Sequence, residues 1–231
     1  ISIYSQSVIK IQNSTSLTRS ELVSIPWSNI VTHFSFVYTA NFYVVDAFTH
    51  KQLPFQLEYL GKENIENLLV EVIIKPNSEI KLTIRNGKPQ LFPAKTYCRY
   101  VPERKDDFAW ESDKIAFRMY GKALELTPAE MAYGMDVWVK KTNRLILNER
   151  YKRGDYHIDH GDGMDYYHVG LTLGAGAVAP FVNDSIWFSR NYTGWKVLDN
   201  GPLRSTFQLM YDEWMVAGQK VNVTKIISID A

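Results

Sequence analysis

From Leu68 to Gly87 the chain reads LLVEVIIKPNSEIKLTIRNG, two runs rich in β-branched side chains that alternate apolar with polar residues on either side of a Pro-Asn-Ser turn. In a strand, successive side chains point to opposite faces, so a run with this period builds one apolar face and needs a second layer against it. The segment is a hairpin signature, with KPNSE as its turn and Asn86-Gly87 as another. The same period recurs in VIKIQ, ELVSIP, FYVVDAFTHKQLPFQLEYL and IAFRMYG. In SIWFSRNYTGWKVLDNGPLRSTFQLMYDEW, the turns NYTG and DNGP separate two or three further strands. PWSNI reads as another turn region, and long amphipathic helices are missing. LTPAEMAYGMD carries one short helical turn, with Thr127 as cap and Pro128 at the first position. The fold class is therefore all-β, an antiparallel β-sandwich. At 231 residues the chain reads as a single sandwich domain over 1–231, two small domains being the other division its length allows. It stops at IISIDA, inside a strand-like run, so the sandwich is expected to be C-terminally incomplete.

Composition closes off several functions. With 45% hydrophobic residues and a net charge of +1, disorder and bulk attraction to nucleic acid are both disfavoured. No apolar run approaches the ~20 residues needed to cross a bilayer. A single cysteine, Cys98, excludes an internal disulfide and a Cys-based zinc cluster, and reads as a packed thiol. Export to a bacterial periplasm or secretion is compatible with all of this. The oligomeric state is not written in the sequence.

Chemistry concentrates between Tyr151 and Gly176, in YKRGDYHIDHGDGMDYYHVGLTLGAG. His157, His160 and His168 lie here among four aspartates and the tyrosines Tyr156, Tyr166 and Tyr167, with Lys152 and Arg153 just before them. Such a stretch cannot bury itself, so it is a loop, and VGLTLGAG behind it alternates as a strand would. Imidazoles exchange protons near neutral pH, and a phenol can partner them as acid or base. His157, Asp159 and His160 also offer imidazole and carboxylate ligands to a divalent ion such as zinc, manganese or calcium, if the loop curls; no other cofactor is indicated. A second polar cluster, Tyr100–Gly121, contains Arg104, Asp107, Trp110, Arg118 and Tyr120. Strand alternation puts Arg118 and Tyr120 on the face opposite Phe117, either in solvent or in a concave cleft. Arg204, starting a strand after Gly201-Pro202, could reach the same cleft.

The segments YVPERKDDFAWESDKIAFRMYG, GMDVWVKKTNRLI, the His-Asp loop and VLDNGPLRSTFQL resemble the signature stretches of the domain of unknown function numbered 4861. The resemblance covers most of the chain from about Ile9 onward. It implies a galactose-mutarotase-like (supersandwich) fold, a place among polysaccharide-utilisation proteins, and chemistry on uronate-containing glycans. One member of that family dehydrates ulvan oligosaccharides. The expected activity is thus elimination next to a uronate carboxylate in an acidic oligosaccharide. Arg118 or Arg104 would neutralise the carboxylate, His160 or His168 would take the α-proton, and Tyr166 would protonate the departing oxygen. Asp107, Trp110, Tyr120, Lys152 and Arg204 are expected around the sugar. A hydroxyl leaving group makes a dehydratase and a glycosidic oxygen a lyase. A glycoside hydrolase using Asp107 and Asp162, or a non-catalytic glycan-binding module, are the competing classes.

Overall fold

The computed structural model describes residues 7–231, and the chain gathers into two compact units, one ending at Ala94 and the other spanning Lys95–Ala231. The sequence suggested one sandwich over 1–231; the contacts form around separate cores in each unit. Every pairing between named strands is antiparallel, and helices are few, so the all-β sandwich class holds.

The first unit contains β1 (Ile9–Asn13), β2 (Arg19–Pro26), α1 (Trp27–His33), β3 (Phe42–Asp46), β4 (Phe55–Glu58), β5 (Asn67–Ile74) and β6 (Ser78–Asn86). They form two three-stranded sheets, ordered β1-β6-β3 and β2-β5-β4. The expected hairpin of β5 with β6 is therefore corrected: the two strands are consecutive but belong to opposite sheets. The reason is in their apolar faces. Leu68, Val70, Val72 and Ile74 of β5 meet Leu82 and Ile84 of β6 in one buried cluster, which face-to-face stacking allows and side-by-side pairing does not. Asn13 fastens the crossing between them, its Nδ2 donating to the carbonyls of Ile74 (3.1 Å) and Lys75 (2.9 Å). The supposed turn at PWSNI is the start of α1.

In the second unit, β7 (Thr96–Val101), β8 (Asp107–Ser112), β9 (Ile115–Met119), β10 (Met135–Lys140) and β11 (Gly163–Asp165) make a five-stranded meander, with α2 (Leu147–Arg153) between the last two strands. Two small hairpins, β12 (Phe181–Val182) with β13 (Ser185–Ile186) and β16 (Trp214–Val216) with β17 (Gln219–Val221), flank a three-stranded sheet. Its strands are β14 (Gly194–Asn200), β15 (Arg204–Met210) and β18 (Thr224–Asp230), in the order β14-β15-β18. One face of the meander, with Cys98, Phe108, Trp110 and Met119, packs on Phe207, Leu209 and Ile229. Cys98 is a packed thiol as expected, and burial pushes it up to about 12. The opposite face carries Val101, Ala109, Ala116 and Trp138 and is covered by Leu147 and Tyr151 of α2. Thr127 and Pro128 begin a 3-10 turn, Pro128–Glu130, as read, although no side-chain cap bond forms. VGLTLGAG is not a strand. Gly170, Gly174 and Gly176 all take positive φ (55°, 62° and 102°), and the short strand lies instead at β11.

Candidate active site

Four strands each send one charged side chain to the α2-covered face: Asp107 from β8, Arg118 from β9, Asp136 from β10 and Asp165 from β11. Arg118 and Asp136 are direct cross-strand partners, the Arg118 Nε lying 2.7 Å from the Asp136 Oδ2. Arg118 Nη2 stands 3.2 Å from Asp165 Oδ2 and Nη1 3.7 Å from Asp107 Oδ2. Tyr151 donates to Asp107 (3.1 Å) and the Trp138 indole to Asp136 (3.2 Å). None of the four charged residues is more than 4% exposed. Three acids around one guanidinium in a dry interior cannot all ionise freely. Burial accordingly pushes Asp107 up to about 6, against the pull of Arg118 and Arg104. Asp165 also rises to about 6, through burial and the neighbouring Asp136. Burial works against the Arg118 charge too, but Asp107 and its other neighbours outweigh it and hold Arg118 above its usual range. The rings of Tyr120, Trp138 and Tyr156 surround the guanidinium at 5.0–5.1 Å.

Beside this cluster opens a cleft of about 330 Å³. Arg118 and Tyr120 line it from the sheet, and Tyr156, His157 and His168 from the loop after α2. Arg104 and Glu130 line it from the ends of two 3-10 turns, Pro102–Arg104 and Pro128–Glu130. The His157 and His168 rings face each other at 4.5 Å between centroids. His157 Nδ1 lies 3.0 Å from the Asp165 carbonyl, and a carbonyl only accepts, so Nδ1 is the donor and, in the neutral ring, the lone pair lies on Nε2. One residue thus orients several others, because the Asp165 amide also donates to the Tyr156 carbonyl at 2.9 Å. Burial raises the Tyr156 phenol, with Arg118 and Arg104 opposing, and burial also raises that of Tyr120. Both therefore stay protonated at neutral pH. The Nη1 atoms of Arg104 and Arg118 are buried and lack a hydrogen-bond acceptor.

Among the expected residues, Arg104, Arg118, Tyr120, His157 and His168 meet in this cleft, and Asp107 lies behind Arg118. The others do not join them. His160 turns outward to Asp155, its Nε2 2.6 Å from Oδ2, and Tyr166 is 56% exposed, away from the cleft lining. The second follows from β11 ending at Asp165, so that the strand supposed to begin at Tyr166 does not exist. Trp110 is core, stacked on Phe117 and packed on Phe207. Lys152 is exposed on α2, and Arg204 is held by Asp230 at 2.6 and 2.8 Å. The hydrolase pair fails to flank the cleft, since Asp107 is fully buried and Asp162 pairs with Arg153. The supposed metal ligands have separate partners: Asp159 binds Lys141 and the amides of Gly161 and Gly163, His160 binds Asp155, and His157 binds the Asp165 carbonyl. Among the described residues no three His, Cys, Asp or Glu side chains are placed to share an ion.

Sequence reasoning passed over Asp136 and Glu130, and gave Tyr156 no role of its own. Asp136 had a signal, because in MDVWVK it alternates in phase with Trp138, an acid on what must be a buried face. Glu130 had none, its place depending on where the loop from Gly121 to Gly134 returns.

Residues 11–231 match the family described as "Domain of unknown function (DUF4861)". A relative, "Uncharacterized protein P7" of Formosa agariphila, is 33% identical over 240 residues, covering 96% of this chain and 60% of its own. The chain therefore spans about 60% of the length of that relative. Two solved structures from Enterococcus faecalis are similar in outline. A protein in glycosyl hydrolase family 38 has a TM-score of 0.42 and 10% identity, over 88% of this chain and 24% of its own. An α-mannosidase has 0.39 and 11%, over 88% and 23%. Among the described residues no helix is long and apolar enough to cross a membrane.

Proposed function

The chain belongs to the DUF4861 family, and on that premise we propose that the cleft in Lys95–Ala231 holds the carboxylate of a uronate-containing oligosaccharide and eliminates the oxygen substituent β to it. The observation that carries this reading is the juxtaposition, in the lining of one cleft, of Arg104, whose Nη1 has no acceptor, and a His157 ring whose Nδ1 is taken up by the Asp165 carbonyl. Arg104 neutralises the sugar carboxylate and so acidifies the carbon-bound proton next to it. Arg118 is already surrounded by three carboxylates, so its part is to hold Tyr120 and Tyr156 and to lend one Nη1 donor.

His157 Nε2 takes the α-proton. The electron pair of that C–H bond becomes the new double bond to the β-carbon, the β C–O bond breaks, and its electrons stay on oxygen. Tyr156, kept protonated by burial, gives that oxygen its proton, and the proton gained by His157 returns to the phenolate through solvent. His168, 4.5 Å from His157, stands ready to relay it. When the leaving oxygen is a hydroxyl, water is released, and when it is glycosidic, the preceding sugar leaves. A volume near the lower end of ligand-sized clefts, about 300–1,000 Å³, suits a terminal sugar and favours the dehydratase. Such a substrate belongs to a periplasmic or secreted setting, where acidic polysaccharides are broken down.

The test is incubation with uronate oligosaccharides, followed by absorbance in the conjugated-enoate band and by mass. Loss of one water without chain shortening is expected, whereas chain shortening would select a lyase, and no new absorbance would sink elimination altogether. His157→Ala should lower kcat about 10²–10⁴-fold, while His160→Ala, outside the cleft, should leave it near wild type. The reverse pattern would put the base elsewhere.

A further inference from the structure

We propose that Lys105 and Glu130 set how strongly the cleft takes an acidic ligand, Lys105 holding the Glu130 carboxylate off Arg104 so that the guanidinium stays open. This deepens the uronate reading above and rests on it. Lys105 Nζ donates to Glu130 Oε1 at 2.8 Å and to Thr127 Oγ1 at 3.1 Å. The other Glu130 oxygen stands 3.7 Å from Arg104 Nη2, outside hydrogen-bond reach. Guanidinium and carboxylate normally close to about 2.7–2.9 Å, often with two parallel bonds. Here they face each other in the same cleft and do not close, and the Arg104 Nη1 has no acceptor at all.

What keeps them apart is geometry on the Glu130 side. Its oxygen is tied to an ammonium that is itself tied to Thr127, the residue opening the Pro128–Glu130 turn. Glu130 and Lys105 thus form a closed brace between two 3-10 turns, with Arg104 left beside it. The Glu130 charge still opposes any second anion in the cleft, and the Lys105 bond draws its pKa below the usual carboxylate range. Removing the Glu130 charge should strengthen binding. Removing Lys105 should let Glu130 swing onto Arg104 and occupy the place of the ligand.

Calorimetric titration of the whole chain with a glucuronate-terminated disaccharide, and with the same disaccharide reduced at its carboxyl, reads this directly. Glu130→Gln is expected to tighten the acidic sugar about threefold to tenfold, the modest effect of a half-exposed charge, and to leave the neutral sugar unchanged. Lys105→Met is expected to weaken the acidic sugar, and the double variant to recover the affinity of Glu130→Gln within about twofold. If Lys105→Met weakens binding by one factor with and without Glu130, only a remote charge has been lost and the brace is overturned. It is overturned as well if Glu130→Gln binds the uronate no tighter than wild type, which leaves the cleft reading standing. Failure of every form to bind the uronate overturns both. The expected affinity pattern without any elimination keeps the brace and removes the proposed reaction.

Discussion

Asp107 is closed off from solvent, with Tyr151 donating to one oxygen and no hydrogen-bond partner at the other. Its carboxyl sits at about 6 in the folded chain, against about 3.9 in an unfolded one. Below both values the group is protonated in either state and its contribution to stability is complete. As pH rises the unfolded chain ionises first, so this contribution is lost progressively until the folded pKa is passed. Wild type should therefore lose on the order of 2 kcal/mol more than Asp107→Asn between about pH 4 and about pH 7, read from urea melts. Equal slopes would mean that Asp107 is ionised in the native chain. At this scale the sequence was informative wherever alternation decides the face. Arg118 and Tyr120 were placed opposite Phe117, and that face is a cleft wall. It was uninformative where a loop decides. His157, His160 and His168 look alike in the text, and only the fold of the loop puts His157 and His168 on the cleft and His160 against Asp155.

Elements, more than single residues, fix the loop that carries the imidazoles. α2 begins over the sheet because Glu111 of β8 reaches across to it, accepting from the amides of Ile146 (3.0 Å) and Leu147 (2.8 Å) and from Lys140 Nζ at 2.7 Å. These amides are orphan donors at a helix start, and Glu111 satisfies them from another element. Both Glu111 and Lys140 are inaccessible, so Glu111→Ala strands a buried ammonium and should cost about 3–5 kcal/mol. Hydrogen exchange should then rise across Leu147–Arg153 before it rises in β8 or β9. Uniform exchange over the whole unit would show that α2 has no separate anchorage. Of the meander, β9 was readable in IAFRMYG, whereas β8 was not, because Asp107–Ser112 reads as part of a polar cluster although all six residues are buried. The pairing of β5 with β6 was misread because alternation states which residues are buried and leaves open whether the next strand lies beside or across.

For the whole molecule, the chain gathers into two compact units that divide at Ala94. Residues 88–95 have no regular structure, and Leu91 is 90% exposed. An exposed, irregular joint between compact units is where proteases cut. Brief chymotrypsin treatment should cleave at Leu91 first, giving two fragments that resist further digestion. Early cuts inside β5 or β8 instead would show that the units are not separately stable. The joint was invisible in the text because Lys88–Lys95 is neither long nor low in complexity.

The strand order of the first unit has a consequence for how it is made. β5 and β6 are the middle strands of their sheets, yet they follow all four edge strands in the chain. A ribosome thus releases the flanks of both layers before either centre exists, and none of β1 to β4 pairs with another of the four. One sheet can close only when β5 is complete at Ile74 and the other only when β6 is complete at Asn86, so that a nascent chain halted ahead of Asn67 carries α1 and local turns and neither sheet.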